Sequence, residues 1–174
     1  MKIWKCTTSW QVPETSIKDA GAIMSHAAAE NSDSKPSMVN IFLASVVETL
    51  YAQLRVPVII QGELKPYLPN VPLTAVSLRQ TEASPNYLNT WDITLWLKSH
   101  CDKLGVKRVV MVSYYPHYWR AFQSARNVGL IPLVPSGIEE IYDPKNSQWW
   151  ARRKWLNRPY ELMVRYYSVY RGWL

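Results

Sequence analysis

The chain has 174 residues, of which 48% are hydrophobic and 19% are charged, and its formal net charge is +7. This composition excludes a wholly disordered chain, and no apolar run approaches the roughly 20 residues that a membrane-spanning helix needs. The N-terminus starts with basic residues but lacks the continuous apolar segment of a signal peptide. We therefore expect one folded domain over residues 1–174, located in the cytoplasm.

The two cysteines, Cys6 and Cys101, are too few for a disulfide framework and do not have the spacing of metal ligands. Both are predicted to be free thiols. The three histidines are scattered and no carboxylates cluster near them, so the sequence does not predict a metal site.

Short apolar runs alternate with segments of helical period along most of the chain. The predicted strands are residues 2–8, 56–60, 73–78, 109–112 and 130–134. The predicted helices are residues 13–29, 37–54, 84–104 and 116–128, followed by a mainly helical segment with loops over 138–174. Pro132 favours an edge position for the last strand. This alternation predicts a three-layer α/β/α sandwich with a mostly parallel, Rossmann-like sheet of about five strands.

The densest group of functional side chains follows the apolar run at residues 109–112. Ser113, His117 and Arg120 come where a strand would end and a helix begin, which is where open α/β sheets bind ligands. His117 and Arg120 are three residues apart and would share one face of that helix. A hydroxyl, an imidazole and a guanidinium aimed at one point suit a phosphate or a carboxylate.

Each of these residues also has a plainer interpretation. Arg120 could clamp an anion through two parallel hydrogen bonds, or it could form an ordinary surface salt bridge. His117 could act as a general acid or base, because its reference pKa lies near neutrality, or it could serve only packing. The glycine-flanked serine of a nucleophile elbow is absent, so Ser113 is assigned to ligand binding and not to nucleophilic attack.

Further candidates lie after two other predicted strands. Glu82 could orient His117 or bind a ribose hydroxyl, although an acid at a helix start is also favoured by the helix dipole. Gly62 would allow a positive φ or a close backbone approach, and Glu63 is its neighbour. The remaining ligand-binding candidates, which could equally close turns with their side chains, are Asn89, Thr90 and Asp92.

The other two histidines, His26 and His100, have no comparable setting in the sequence. They are interpreted as surface or packing residues. Neither the glycine-rich dinucleotide fingerprint nor a P-loop is present.

Positive charge is concentrated at the C-terminal end of the chain. Residues 145–174 contain seven basic residues and one acid, Glu161, and the segment 149–155 mixes tryptophans with arginines and a lysine. Such a segment could stack on single-stranded nucleic acid, lie at a membrane interface, or pack its tryptophans on the sheet with solvated charges. Nucleic acid is the least favoured of the three.

Several of these segments, in this order, resemble the YdcF/SanA/ElyC-like family of bacterial α/β proteins. The similar stretches are residues 58–63, 82–92, 109–121 with its strand, hydroxyl, aromatic and His-x-x-Arg-Ala pattern, and 129–135. Two features depart from the family. Residues 6–9 replace the usual Leu-Gly and glycine-rich sequence, and Asp92-Ile93 stands where Glu-Asn is usual.

The resemblance implies an α/β fold and a connection with the cell envelope or lipid-carrier metabolism, and one family member is described as binding S-adenosylmethionine. Together with the residues above, it leads to a first hypothesis. A small phosphate- or nucleotide-bearing ligand binds at the carboxyl edge of the sheet, where His117 and Glu82 would be catalytic in a transferase or hydrolase. The alternative is a non-catalytic module whose basic, aromatic tail contacts an anionic membrane or nucleic acid.

Overall fold

The computed structural model describes residues 10, 12–31, 36–77 and 89–174 of the chain. Within these ranges, the strands are β1 (Ala22–Ser25), β2 (Val58–Ile60), β3 (Leu73–Val76), β4 (Arg108–Val112) and β5 (Ile131–Leu133). The α-helices are α1 (Met38–Leu54), α2 (Thr90–Lys103), α3 (Tyr115–Asn127) and α4 (Lys154–Tyr170). Two short 3-10 helices span Gly62–Tyr67 and Trp149–Ala151.

All five strands are parallel, and their order across the sheet is β3-β2-β1-β4-β5. The chain therefore builds outward from β1 in one direction and then, from β4, in the other, which is the Rossmann-like order. Strands β1 and β4 are neighbours, with Ser25 opposite Val112 in register. The place where the order reverses lies between these two carboxyl ends, and it is where such sheets bind ligands.

Helices cover both faces of the sheet, which confirms the predicted three-layer sandwich. On one face α1 packs through residues at helical spacing, such as Leu43 and Val47, against Ile23 and Val110. On the other face α2 and α3 pack against Met24, Met111 and their neighbours. Because β1 and β4 are buried on both faces, residues 22–24 and 109–112 form continuous apolar runs and do not alternate with polar residues.

The helix termini follow the chemistry of the sequence. The Ser37 hydroxyl accepts a hydrogen bond from the Asn40 backbone N–H at the start of α1, and the Asn89 side chain accepts from the Asp92 N–H at the start of α2. Gly105 and Gly129 follow α2 and α3 with φ values of +68° and +85°. Such positive angles end a helix at little steric cost in glycine.

Apart from the start of the chain, most sequence-based boundaries agree with the structure to within about two residues. The helix predicted over 84–104 begins at Thr90, with residues 84–88 outside the described ranges, and the segment 138–174 becomes helical only from Trp149.

The prediction of a helix over 13–29 is wrong, because Ala22–Ser25 is the central strand β1. Its alanines favour a helix locally, but pairing with both β2 and β4 and full burial override that propensity. The predicted strand at 2–8 lies outside the described residues. The edge position predicted for β5 from Pro132 is confirmed.

Two other expectations can be compared with the structure. Cys101 is a buried free thiol, as predicted, whereas Cys6 lies outside the described residues. In the part of the chain that the structure describes, the helices are all too short or too polar to cross a membrane.

Gly21, just before β1, lies against Val106 so closely that a side chain would not fit. A Cβ atom added there would come within 2.7 Å of Val106 Cγ1 and 3.0 Å of Cγ2. Valine is stiff at χ1 and cannot easily move away. We expect Gly21→Ala to lower the free energy of unfolding by about 1–3 kcal/mol in urea titrations.

The matched control for this substitution is the double variant Gly21→Ala, Val106→Ala. In the Val106→Ala background the two valine methyl groups are absent, so adding the alanine Cβ at position 21 should change the free energy of unfolding very little. An equal loss of stability in both backgrounds would contradict the steric explanation.

Candidate functional site

A cavity of about 110 Å³ opens at the carboxyl edge of the sheet, where the strand order reverses. Its walls come from the segments after β1, β2 and β4, from the start of α2, and from α4 with the segment before it. The lining polar residues are His26, Gln61, Glu63, Asn89, Thr90, His117, Arg120, Gln148, Asn157, Tyr160 and Glu161. This is the position that the fold offers for a ligand.

His26 follows β1 directly and is buried in the wall of the cavity. Its Nε2 lies 3.1 Å from Thr94 Oγ1, and the Thr94 hydroxyl already donates to the backbone oxygen of Thr90 at 2.7 Å. Because the single hydroxyl proton is used, His26 must donate from Nε2. The lone pair is therefore on Nδ1, which is buried and has no hydrogen-bond partner among the described residues.

The electrostatic environment keeps His26 in this neutral form. Burial, followed by the nearby Arg120 guanidinium, lowers its pKa from the usual 6.5 to about 3. Near neutral pH, His26 Nδ1 is consequently a fixed hydrogen-bond acceptor.

His117 lies in the first turn of α3 on the same cavity. Its Nε2 is buried and, like Nδ1 of His26, lacks a partner among the described residues. Burial, with additional repulsion from Arg120 and His26, holds its pKa well below the usual value. The Tyr114 ring packs edge-on against its imidazole, with centroids 5.5 Å apart.

Arg120, one turn further along α3, is bound on two sides by the protein itself. Its Nε lies 3.3 Å from both carboxylate oxygens of Glu161 on α4, and its Nη2 lies 3.1 Å from Oε2. Its Nη1 donates to the hydroxyl of Thr90 at the start of α2. Arg120 thus connects three helices, and its salt bridge with Glu161 is largely buried, unlike the ordinary surface salt bridge considered above.

Glu161 is shared with a second arginine. Arg165 Nε donates to Glu161 Oε1 at 3.1 Å, and the Arg165 guanidinium lies between the rings of Trp10 and Trp119 at 4.5 and 4.4 Å. Both Glu161 and Arg165 are fully buried. One carboxylate therefore joins two guanidinium groups, and the trio keeps one positive charge.

Arg120 retains some capacity to bind a ligand. A guanidinium has five N–H groups, and the bonds to Glu161 and Thr90 use one on each nitrogen. One N–H on Nη1 and one on Nη2 remain without a partner in the described part of the chain. These two groups are the donors that a ligand anion could use.

The backbone groups that bind diphosphate in many Rossmann-like proteins are already satisfied here. After β1, the Ala27 N–H donates to Gln61 Oε1 and the Ala28 N–H to Asn40 Oδ1, at 3.0 and 2.9 Å. At the start of α1, the Met38 N–H donates to the Asp143 carboxylate at 3.1 Å. A side-chain carboxylate thus stands where a phosphate would otherwise bind the helix terminus.

The structure brings together five of the nine sequence-predicted site residues on the cavity wall. They are His117, Arg120, Asn89, Thr90 and Glu63. His117 and Arg120 do share one hollow, as their spacing predicts.

The other four predicted residues are placed differently. Asp92 exchanges hydrogen bonds with Asn89 at the start of α2, and Ser113 is fully buried but does not line the cavity. Gly62 opens a 3-10 helix, whose backbone requires a negative φ, so the positive φ expected for it is wrong. Glu82 lies outside the described residues.

Six polar residues of the cavity wall are not predicted by the sequence, namely His26, Gln61, Gln148, Asn157, Tyr160 and Glu161. For His26, whose segment the sequence analysis predicts as a helix, a short buried run ending in Ser-His is the available signal. Glu161 stood out only as the single acid in a basic segment. Asn157 gave no sequence signal.

No group of three or more histidine, cysteine, aspartate or glutamate residues suited to a metal ion occurs in the described ranges. Comparison of the chain with protein-family models, with curated proteins and with solved structures finds no match. The class of the protein is therefore defined by its fold alone. It is a three-layer α/β sandwich with a Rossmann-like strand order.

The Arg120–Glu161–Arg165 trio should be a major source of stability. Glu161→Gln would leave two guanidinium groups facing each other without a buried carboxylate between them. We expect it to reduce the free energy of unfolding by about 3–5 kcal/mol in urea titrations.

A matched control is available at Glu140, which also joins two basic residues, Lys154 and Arg158, but at a partly exposed position. Glu140→Gln should cost no more than about 1 kcal/mol. Equal effects of the two substitutions would show that burial of the trio does not matter.

The two neutral histidines predict a loss of stability in acid. Because the unfolded chain protonates its histidines near pH 6.5 and folded His26 does so only near 3, stability falls as the pH drops through this window. His26 should contribute about 1.4 kcal/mol per pH unit to this slope.

His26→Gln keeps an N–H for Thr94 but cannot titrate. The slope of unfolding free energy against pH, measured from about pH 6 to 4, should be shallower in this variant by that amount. Parallel curves for the variant and the wild type would contradict the assignment of His26 as neutral in the fold.

Proposed function

We propose that this chain binds a small polar ligand at the carboxyl edge of its sheet, and that the ligand carries one anionic group together with at least one O–H or N–H donor. The observation that carries the proposal is the pairing of two N–H groups of Arg120 with two buried acceptors on the same cavity, all four without a partner among the described residues. These acceptors are His26 Nδ1 and Asn157 Oδ1.

The charge of the site supports a ligand with a single negative charge. Arg120 shares Glu161 with Arg165, so the trio has one positive charge to offer. Glu63 adds a buried carboxyl group to the wall. A diphosphate would meet this carboxyl group and would not find the free backbone N–H groups that usually bind it.

The buried acceptors support a ligand that donates hydrogen bonds. An acceptor left unpaired in a buried site costs about 1–3 kcal/mol, and a ligand hydroxyl or ammonium group would remove that penalty. His26 is well suited to this role because Thr94 fixes its ring orientation and its tautomer. The same arrangement would reject an analogue that lacks the donor.

The volume of the cavity supports a compact head group and not a whole cofactor. At about 110 Å³ it is smaller than the roughly 300–1,000 Å³ of typical ligand pockets. A second hollow of about 350 Å³ shares Thr90, Arg120 and Tyr160 with it and is lined further out by Trp91, Tyr167 and Trp173. A larger ligand would place an aromatic or apolar part in this outer hollow.

S-Adenosylmethionine, suggested by the resemblance to the YdcF/SanA/ElyC-like family, meets these requirements. It has one carboxylate for Arg120, an ammonium group for His26 or Asn157, and an adenine ring for the outer hollow. A nucleotide with one phosphate is the related alternative. Membership of that family is part of the proposal, supported by similar segments that fall on β2, the start of α2, and β4 with α3.

If the chain is an enzyme, His117 is the group suited to accept or return a proton. Its buried Nε2 has no partner among the described residues. Its pKa, lowered by burial and by repulsion from Arg120, keeps the imidazole neutral near pH 7, so the ring could accept a proton once a bound anion offsets that repulsion. Arg120 would orient the anionic group, and the reaction would be transfer or hydrolysis at the bound ligand.

Ligand binding can be tested by thermal unfolding with phosphate, glycolate, AMP and S-adenosylmethionine, followed by calorimetric titration of any compound that stabilises the protein. We expect at least one compound to raise the midpoint. Arg120→Lys should weaken its binding about tenfold or more, because lysine keeps the charge near Glu161 but loses the two-pronged geometry.

The control is Arg108→Lys, which makes the same substitution at an exposed arginine on the amino end of β4. It should leave the affinity unchanged. If none of the four compounds stabilises the protein, the proposed ligand class is refuted. If the two lysine variants bind with equal affinity, the proposed role of Arg120 is refuted.

A further inference from the structure

Helix α4 is amphipathic in the opposite sense to an ordinary surface helix. Its buried residues are all polar or charged: Asn157, Glu161, Arg165 and Ser168. After Lys154 at its first position, its exposed large residues are aromatic or apolar. Trp155, near the amino end of the helix, is 66% exposed and Tyr170, at the carboxyl end, is 86% exposed. A surface helix normally turns its apolar side inward, so this arrangement requires a separate explanation.

Five of the six exposed aromatic or apolar residues of α4 form one continuous strip along the helix, and the sixth, Tyr167, lies beside it. We call this strip the exposed stripe and define it as Trp155, Pro159, Met163, Tyr166 and Tyr170. They are separated by four, four, three and four positions, which keeps them on one side of an α-helix. The helix has 17 residues, so the stripe is roughly 25 Å long. It contains no charged residue.

Within the described ranges, the unpaired charges around the stripe are positive. Arg153 is exposed at its amino end and Arg171 is exposed just beyond its carboxyl end, whereas Lys154 is exposed but ion-paired with Glu140. The only acid from residue 144 onward is Glu161, and it is buried on the opposite side of the helix. A second copy of the chain would bring like charges together, whereas an anionic partner would complement them.

We propose that the exposed stripe docks on an anionic lipid surface, with α4 lying in the plane of the interface. Tryptophan and tyrosine are favoured at the level of lipid head groups, and flanking basic residues attract anionic lipids. Met163 and Pro159 in the middle of the stripe offer no aromatic ring on which a nucleic-acid base could stack, and the outer side of a single helix is convex and forms no groove for a strand. None of the five stripe residues lines the ligand cavity.

The test is co-sedimentation of the full chain with vesicles of phosphatidylcholine alone and of equal parts phosphatidylcholine and phosphatidylglycerol. The chain should bind the anionic vesicles strongly and the neutral ones weakly, with binding that declines as salt is added. Arg153→Ala should weaken binding to the anionic vesicles about fivefold.

Met163→Glu places a charge in the centre of the stripe and should weaken binding about tenfold or more. The matched control is Met38→Glu, because Met38 is 61% exposed and Met163 is 60% exposed, and Met38 begins a different helix, α1. The control should stay within about twofold of the wild type. Tyr170→Glu, at the most exposed position of the stripe, gives a second variant that does not depend on the middle of α4.

Three results would overturn the proposal. One is equal vesicle binding by the Met163→Glu and Met38→Glu proteins. Another is self-association of the wild type that Met163→Glu abolishes in the absence of lipid, which would identify a second copy as the partner. The third is binding of a single-stranded oligonucleotide, and not of vesicles, that depends on the stripe.

Discussion

The interaction on which the described structure most depends is the buried trio of Arg120, Glu161 and Arg165. It joins α3 to α4 and, through the Thr90 hydroxyl, to the start of α2. Two guanidinium groups taken out of water require a carboxylate between them, and the aromatic rings around Arg165 supply further compensation. Because these helices also form the walls of the cavity, the trio that holds α4 in place also builds the candidate site.

The orientation of α4 follows from this trio. Once Glu161 and Arg165 face inward, the residues on the far side of the helix must face outward, and those residues are tryptophan, methionine and tyrosines. The polar interior of α4 and its apolar exterior are therefore two consequences of one requirement. Ion pairs and hydrogen bonds hold such a helix on the domain, and its apolar surface remains available for a partner.

The sequence predicts those parts of the fold in which local pattern and tertiary environment agree. Strand β4 and helix α3 combine a buried apolar run, a proline near the helix start and a terminal glycine, and the structure follows them closely. At β1 the two disagree, because an alanine-rich segment that favours a helix becomes a strand only through pairing with both neighbours. That one error concealed His26. The bond between Arg120 and Glu161, 41 residues apart, has no local signature and could only come from the fold.

The site also differs from other Rossmann-like sites in where its recognition groups are found. Sites of that class commonly hold phosphate with backbone N–H groups at the first turn and at a helix terminus. Here the side chains of Gln61, Asn40 and Asp143 accept those hydrogen bonds. What remains for a ligand is a set of side-chain groups, with donors on Arg120 and an acceptor on His26 whose tautomer is set by Thr94. Selectivity at such a site depends on matching donors to acceptors more than on total charge, because the protein has already neutralised most of the charge itself.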